Sequence, residues 1–435
     1  MNSEIYDFFK RHGYENIFDP LSYIEQTAEK IMSDMENGLM RKGASQDMIL
    51  THVNPPKEKI ANETVIVIDA GGTNFRSCLV SFDENSDPSI SCLQKTKMPG
   101  TEKELSKKEF FDQISENLEH LKDKASKIGF CFSYPMEITE DGDGILSAFG
   151  KEVKAPQVVG SYIGRELLAS LKEHGWKNNL KVSMINDTVA CLLAGAAASK
   201  KSKKYSSYIG FILGTGLNSA YIQAVQEKYP GMQKDQIVVC ESGRFCGAPS
   251  LDFDISLDKK SDKPQTALME KKCSGAYLGS VCLEALKSAA NEGIFSKNVA
   301  EKILQIQKIS LKDTDAFLNF PYSTEGVLGE VLSSSALPED FTAVYEILDV
   351  LMDRAARLST AILYANIVKC GKGKNPVEPV CILCNGTTFY KTFKVQQRIN
   401  AYLEAILLPL GLYFETLEIE NDITLGTAIS GALKT

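Results

Sequence analysis

The side chains able to do chemistry gather at three glycine-bearing turns and one aspartate. The first turn is Asp69-Ala-Gly-Gly-Thr-Asn-Phe-Arg76. Gly71 and Gly72 lack the side chains that would keep a phosphate away from backbone N–H groups. Thr73 and Asn74 add side-chain donors, and Arg76 adds positive charge. Asp69 is placed to hold Mg2+ through water, since magnesium keeps several waters and uses few carboxylates. The other reading of this octapeptide is a plain β-hairpin turn. The second turn, Gly214-Thr-Gly-Leu-Asn-Ser219, offers the Thr215 hydroxyl between Gly214 and Gly216. Alone it is a short Gly-x-Gly turn; facing the first it is the other jaw of a phosphate clamp. The third, Asn385-Gly386-Thr387, closes an apolar run. The aspartate is Asp187, in Ile185-Asn-Asp-Thr188. Phosphoryl transfer needs positioning, charge neutralisation and a group that accepts the nucleophile's proton, and an aspartate can do the last. The same tripeptide also reads as a helix N-cap, with Asp187 or Thr188 capping.

Two further segments carry groups that can contact a polyol. Gly129-Phe-Cys-Phe-Ser-Tyr-Pro135 sets Ser133 at a strand end, and the run 145–155 sets Lys151 in a loop. Separately they read as an ordinary strand end and a surface loop.

These groups need elements to position them. Apolar spacing predicts a helix over 22–47, and Pro55 and Pro56 mark 51–62 as a linker. Strand patterns follow at 64–70, 76–82 and 90–97. Ser106 and Glu109 have capping-box spacing and open a helix to about 125. A strand (128–133), a helix (162–174), a strand (181–185) and an alanine-rich helix to about 199 come next. The pattern then restarts: strands at 205–213, 218–225 and 236–240, helices at 266–291, 298–309 and 341–368, a strand at 379–383, a helix at 391–407, a strand at 413–419 and a helix at 425–433. Each half reads as three strands, helix, strand, helix, strand, helix, with a glycine turn after its first strand. Two α/β domains with a cleft between them are expected, with ligands at the carboxyl ends of the strands.

Size and composition agree. The chain has 435 residues, enough for two or three folded units. Its 43% hydrophobic and 24% charged residues are those of a soluble globular protein. A net charge of −8 argues against a general nucleic-acid binder. The N-terminus lacks the basic and apolar regions of a secretory signal, and no run is long enough for a membrane span. Eleven cysteines, an odd number, fit free thiols in a reducing compartment, the cytoplasm. Cys381-Ile-Leu-Cys384 has zinc-knuckle spacing but no second pair, and its side chains fall on opposite faces of a strand. The basic run 200–204 reads as a solvated loop, and Gly371-Lys-Gly-Lys374 lacks the strand and ending of a P-loop. His12, His52, His120 and His174 lie outside every motif.

Taken together, the segments resemble the eukaryotic-type hexokinases and glucokinases, of the sugar-kinase, actin and heat-shock-ATPase superfamily. Residues 130–135 are similar to the family's Phe-Thr-Phe-Ser-Phe-Pro sugar segment, and 145–155 to its Trp-Thr-Lys-Gly-Phe-Lys loop. Asn186-Asp187-Thr188 is similar to its Asn-Asp-Thr, and Ser274-Gly-Ala-Tyr-Leu-Gly279 to its Ser-Gly-Met-Tyr-Leu-Gly. The first two glycine turns match its phosphate motifs, and Asn385-Gly386-Thr387 its Asp-Gly-Thr adenosine motif. The resemblance implies two ribonuclease-H-like domains with the active site in their cleft. The small domain would be 62–184 plus 423–435, the large one 1–61 plus 188–422, with hinges near Asn62, Thr188 and Asp422. It implies transfer of the ATP γ-phosphate to the 6-hydroxyl of glucose or a related hexose, the entry step of glycolysis, with Mg2+ as cofactor. Its sugar site would be Ser133, Lys151, Asn186, Asp187, Asn218, Glu241 and Glu270. Asp187 would act as base, and Lys151 would steady the developing charge. The chain departs from the family at Gly150 (usually a threonine), at Phe149 (a tryptophan), at Leu217 (a polar residue), around Glu241 and at Asp422–Gly426. A hexose sensor without catalysis, an actin-like ATPase and a kinase for another sugar are the rival readings.

Overall fold

The computed structural model describes residues 2–150, 152–177, 179–197, 203–333 and 336–434. Its strands, in chain order, are β1 (Ile49–Leu50), β2 (Glu63–Gly71), β3 (Asn74–Phe82), β4 (Pro88–Lys97), β5 (Lys127–Phe132), β6 (Met136–Ile138), β7 (Gly144–Leu146), β8 (Lys181–Ile185), β9 (Ser207–Leu213), β10 (Leu217–Gln223), β11 (Gln236–Val239), β12 (Val380–Asn385) and β13 (Phe414–Leu417). They form two mixed sheets, ordered β4-β3-β2-β5-β8 and β1-β11-β10-β9-β12-β13. In each, three antiparallel strands (β4-β3-β2 and β11-β10-β9) lead into two parallel ones, β2 and β9 hold equivalent places, and β1 adds antiparallel to the edge of β11 in the second sheet. β6 and β7 pair as a separate hairpin.

The period of two in β2 shows why the sheets are buried on both faces. Ile66 and Ile68 pack with Phe110 and Leu167 on one side, and Val65 and Val67 with Ala428 and Ile429 on the other. The helices that end each half are exchanged. Asp187–Ala197, after β8, packs against β9 and β12; Asp422–Ala432, after β13, packs against β2 and β5. The approach is close enough to require glycine at equivalent places. A Cβ on Gly210 of β9 would fall on the Thr188 carbonyl oxygen, and one on Gly129 of β5 on that of Thr427. The largest core surrounds the 33-residue helix Pro338–Cys370, which packs against Pro20–Leu39 and Val395–Leu407.

Several elements differ from their sequence patterns. The helix expected over 22–47 is Pro20–Leu39. It stops where Arg41 takes a positive φ of 54° and the chain doubles back, with the Asp34 carboxylate accepting from the N–H groups of Ser45 and Gln46. The helix expected to reach 125 ends at Asn117 and continues as a short 3-10 turn; its Ser106–Glu109 capping box is present. The helix expected over 266–291 is two, Leu268–Cys273 and Leu278–Asn291. Between them the N–H groups of Gly275 and Ala276 bond the carbonyls of Gly214 and Thr215 instead of continuing the helix. Helices Ser3–Arg11, Asp252–Lys260, Leu311–Asn319 and Gly326–Leu332 gave no recognised pattern. The alanine-rich helix ends at Ala197; 198–202, with the start of the basic run, lie outside the described residues. Lys203 and Lys204 pair with Glu415 and Glu378. Cys381 and Cys384 are buried on opposite faces of β12, Cys384 in the large core and Cys381 near Gly195. Gly371, with φ 65°, caps the 33-residue helix. Among the described residues no helix is long and apolar enough to cross a membrane.

Candidate active site

The carboxyl ends of β5, β8 and β9 and the start of β10 open onto one cleft of about 220 Å3. Ser133, Asn186, Asp187, Asn218, Glu241 and Glu270 all line it. Its apolar walls include Ile49, Met184, Ile212 and Val239. Each polar group is held by its element. Asn186 Oδ1 accepts from the Thr188 N–H at 2.7 Å, so Asn186 stands at the N-cap of the helix Asp187–Ala197 and shares that N–H with Asp187, one of the two residues expected to cap it. Asp187 Oδ1 receives the Thr188 N–H at 2.8 Å and the Thr188 hydroxyl at 3.2 Å. Asn218 Nδ2 donates to Glu241 Oε1 at 2.9 Å, while its Oδ1 accepts from the N–H groups of Ser219 and Ser242. Glu270 Oε2 accepts from the Leu217 N–H at 3.0 Å. The leucine in the second turn thus contributes its backbone to the site, while its side chain packs in the large core.

The glycine turns flank this cleft. Gly71 sits against Ser133, where a Cβ would meet the serine Cβ at 2.8 Å, and the Tyr134 hydroxyl donates to the Gly72 carbonyl at 2.9 Å. The first turn is therefore fastened to the Ser133 segment. Thr73, Asn74 and Arg76 are exposed beyond it. On the other side, Gly214, Gly275 and Gly386 abut. The Gly275 N–H and the Thr388 hydroxyl both donate to the Gly214 carbonyl at 2.8 Å, and a Cβ on Gly214 would lie 3.4 Å from Gly386 Cα. Thr215 and Thr387 are exposed there, and of the residues in the three turns Gly216, Leu217 and Asn218 line the cleft itself.

Carboxylates dominate the electrostatics. Burial raises Asp187 above the ordinary aspartate range, opposed by its Thr188 and Asn186 hydrogen bonds and reinforced by the charge of Asp422. Burial likewise raises Asp69, which has the Arg76 guanidinium at 3.3 Å as its counter-charge and the charges of Asp187 and Asp422 against it. Glu241 is pushed up to about 7 by burial, against the Asn218 hydrogen bond. Glu270 is raised for the same reason. Asp422 takes both its oxygens to Asn385 Nδ2 at 2.8 Å and is raised by burial.

Lys151 lies outside the described residues. Its neighbour Phe149 packs its ring on Phe110, Phe132 and Tyr134 at centroid distances of 5.5, 6.2 and 5.1 Å, an aromatic anchor where a tryptophan was expected. A Cβ on Gly150 would lie 2.7 Å from Glu152 Oε1, the far end of an exposed side chain that can move aside. Two contributors were not foreseen. Thr51, in the segment read as a linker, lines the cleft and bonds the Ile237 carbonyl, because β1 adds to the edge of β11. The Asn385–Asp422 bond joins two residues known only from separate motifs, and nothing in their spacing signals it.

Comparison with known proteins agrees with this arrangement. Two family models, both described as hexokinase, match residues 18–197 and 208–433, the second alone spanning more than half of the chain. The chain is similar to hexokinase-1 of Schizosaccharomyces pombe (24% identical, over 95% of this chain and 88% of that protein) and to hexokinase-1 of Spinacia oleracea (28%, over 96% and 88%). Its fold is that of a solved hexokinase from Schistosoma mansoni complexed with glucose, with a TM-score of 0.77 at 23% identity over 98% of this chain and 99% of that one. A further hexokinase structure gives 0.80 at 20% identity over 99% of both chains. With both halves of the molecule and the cleft between them accounted for, the chain belongs to the hexokinase family of ATP-dependent sugar kinases.

Proposed function

We propose that this chain transfers the γ-phosphate of ATP to the 6-hydroxyl of glucose or a closely related hexose, and that Asp187 accepts the proton of that hydroxyl. The observation that carries the reading is the meeting of Ser133, Asn186, Asp187, Asn218, Glu241 and Glu270 in one cleft of about 220 Å3. Amides and carboxylates so placed pair with several sugar hydroxyls at once. A cleft of this kind rejects molecules lacking them, because its polar groups would then be left unpaired. Asp187 sits at the mouth of a helix with its Oδ1 fixed by Thr188, which leaves Oδ2 for the incoming hydroxyl. Its raised pKa makes it a stronger base than an exposed aspartate. Thr73, Asn74, Arg76, Thr215 and the backbone of both glycine turns bind phosphates, Gly386 and Thr387 border the nucleoside, and Lys151 steadies the charge that develops on the transferred group. The protein works in the cytoplasm, in keeping with its eleven unpaired cysteines.

The residues present fit Mg2+. The charges of Asp187 and Asp422 raise Asp69, and that of Asp422 raises Asp187, with Arg76 the cation acting on Asp69, so a dication carried in with ATP enters an acid-rich site. Among the described residues no group of three or more metal-binding side chains exists, which suits an ion held chiefly by phosphate and water. Asp69 would hold it through water, and the ion would supply charge neutralisation at the phosphates. The small unit is 62–184 plus 423–435 and the large one 1–61 plus 188–422, and they close on sugar before transfer, excluding water as a competing nucleophile.

The test is a coupled ADP assay with Mg2+, ATP and a panel of hexoses. Sugar-dependent ADP formation with glucose among the best acceptors is expected. Hydrolysis of ATP indifferent to sugar would overturn the reading in favour of an ATPase, and hexose binding without ADP in favour of a sensor.

A further inference from the structure

Behind the helix Leu268–Cys273 lies a second cavity, of about 200 Å3, separate from the cleft. The helix serves both: Glu270 lines the cleft, and Lys271 and Lys272 line the cavity. Lys272 is 1% exposed. An ammonium has three donors to satisfy, yet its Nζ makes a single long hydrogen bond, 3.4 Å to the Leu268 carbonyl of its own helix. No carboxylate among the described residues comes within ion-pair distance of it.

The neighbouring acids are already committed. Asp254 binds Arg354 with two bonds of 2.7 Å and accepts from the Leu251 N–H. Asp258 binds Lys271 at 2.5 Å and accepts from the Gln265 N–H. Lys271 spends its remaining donors on Ser261 Oγ and the Lys263 carbonyl. Three buried cations, Arg354, Lys271 and Lys272, thus share two carboxylates, and the surplus charge is that of Lys272. Burial pulls its pKa below that of an ordinary lysine, with Asp254 opposing. A buried charge with no partner is costly, and a group of opposite sign in the adjoining cavity removes that cost. Lys259, exposed at the rim of the same cavity and in no ion pair among the described residues, adds a second positive charge along the way in.

We propose that this cavity binds a small oxyanion, a phosphate or a carboxylate, held by the Lys272 ammonium with Lys259 at its rim. Charge-assisted hydrogen bonds from a desolvated ammonium would supply most of the grip. The proposal does not depend on which sugar the cleft takes.

The experiment titrates the purified full chain with inorganic phosphate and, separately, acetate, by calorimetry, and repeats both with Lys272→Met, which keeps the buried hydrocarbon and removes the charge. The expected result is saturable binding of at least one anion that Lys272→Met weakens about tenfold or more and Lys259→Met weakens less, with hexose turnover in anion-free buffer retained. Tighter phosphate marks a phosphate-bearing ligand; tighter acetate marks a carboxylate. Binding unchanged by Lys272→Met, attributable to the glycine turns, would overturn the proposal, as would no binding by the wild type up to about 50 mM. A measurement that needs no variant is a selenate soak of wild-type crystals: anomalous density within hydrogen-bond reach of Lys272 Nζ supports the site, and an empty cavity together with no acetate binding refutes it.

Discussion

Glu241 is the residue whose environment most changes its chemistry. With a carboxyl pushed up to about 7, the folded protein holds a proton there that the unfolded chain has already released above about 4.5. Stability must therefore fall as pH rises through that window, by at most about 3 kcal/mol, because the folded state binds more protons than the unfolded one. Glu241→Gln keeps the acceptor for Asn218 and removes the titration. Melting temperatures between pH 4.5 and 8 should fall more steeply for the wild type than for the variant, and parallel curves would show that Glu241 is an ordinary carboxylate. Asp187 gives the kinetic counterpart. Asp187→Asn should lower kcat by about 10²–10⁴-fold with hexose affinity largely kept. The acid limb of the wild-type pH–rate profile should lie above the usual aspartate range, since the base is lost as pH falls through a raised pKa. Turnover near that of the wild type would remove Asp187 from the mechanism. In the sequence Asp187 was legible as a chemically capable group but could not be told from a cap. In the structure Asn186 caps the helix, and Asp187, which also accepts from the Thr188 N–H, keeps its second oxygen for another partner. Glu241 and Glu270 had no local signal, because what makes them unusual is burial, and burial comes from segments far along the chain.

Elements were most legible where one pattern served one purpose. The capping box at Ser106 and the alternation in β2 are local, and both are present. The apolar spacing over 266–291 misled because tertiary bonds outbid it: the backbone of Gly275 and Ala276 is used to hold the Gly214–Gly216 turn. That interruption makes a prediction specific to the element. A Cβ at 275 would meet Thr388 Oγ1 at 2.6 Å and the Gly214 carbonyl at 3.0 Å. Gly275→Ala should push the second glycine turn and the Thr388 hydroxyl apart, while Ser133, Asn186 and Asp187 on the other wall are untouched. The KM for ATP should rise about tenfold, the effect of losing one or two hydrogen bonds at a phosphate turn, with hexose affinity within about twofold. A selective rise in the hexose KM instead would place this turn on the sugar side of the cleft.

At the scale of the whole molecule, the repeat of strand order is readable from spacing, whereas the exchange of end helices enters only through the family resemblance, which sets 423–435 with the small unit and 188–422 with the large one, since packing partners leave no mark on spacing. The exchange decides how the halves can move. Asp187–Ala197 and Asp422–Ala432 pack on each other and on opposite sheets, so the pair is the natural axis for rotation of one half against the other. Both Asn62, entering β2, and Asn421, entering the last helix, adopt a left-handed backbone with φ of 55° and 57°, a conformation that asparagine tolerates better than most residues. The Asn385–Asp422 bond then ties the end of β12 to the start of the last helix, across the line of motion. In the proposed cycle the sugar bonds Ser133 and Asn186 on one wall and Asn218, Glu241 and Glu270 on the other, so a bound hexose draws the walls together, whereas ATP alone engages only one of the two glycine turns until the sugar has brought them within reach of the same phosphates. Glucose should therefore reduce the radius of gyration measured by solution X-ray scattering, and a non-hydrolysable ATP analogue should not. Asp422→Ala leaves Asn385 without its partner and removes one of the charges that raise Asp187, so it should shift the acid limb of the pH–rate profile downwards as well as alter the glucose-induced contraction. A radius of gyration indifferent to glucose would mean that the cleft is already closed and that water must be kept from the phosphate by some means other than domain rotation.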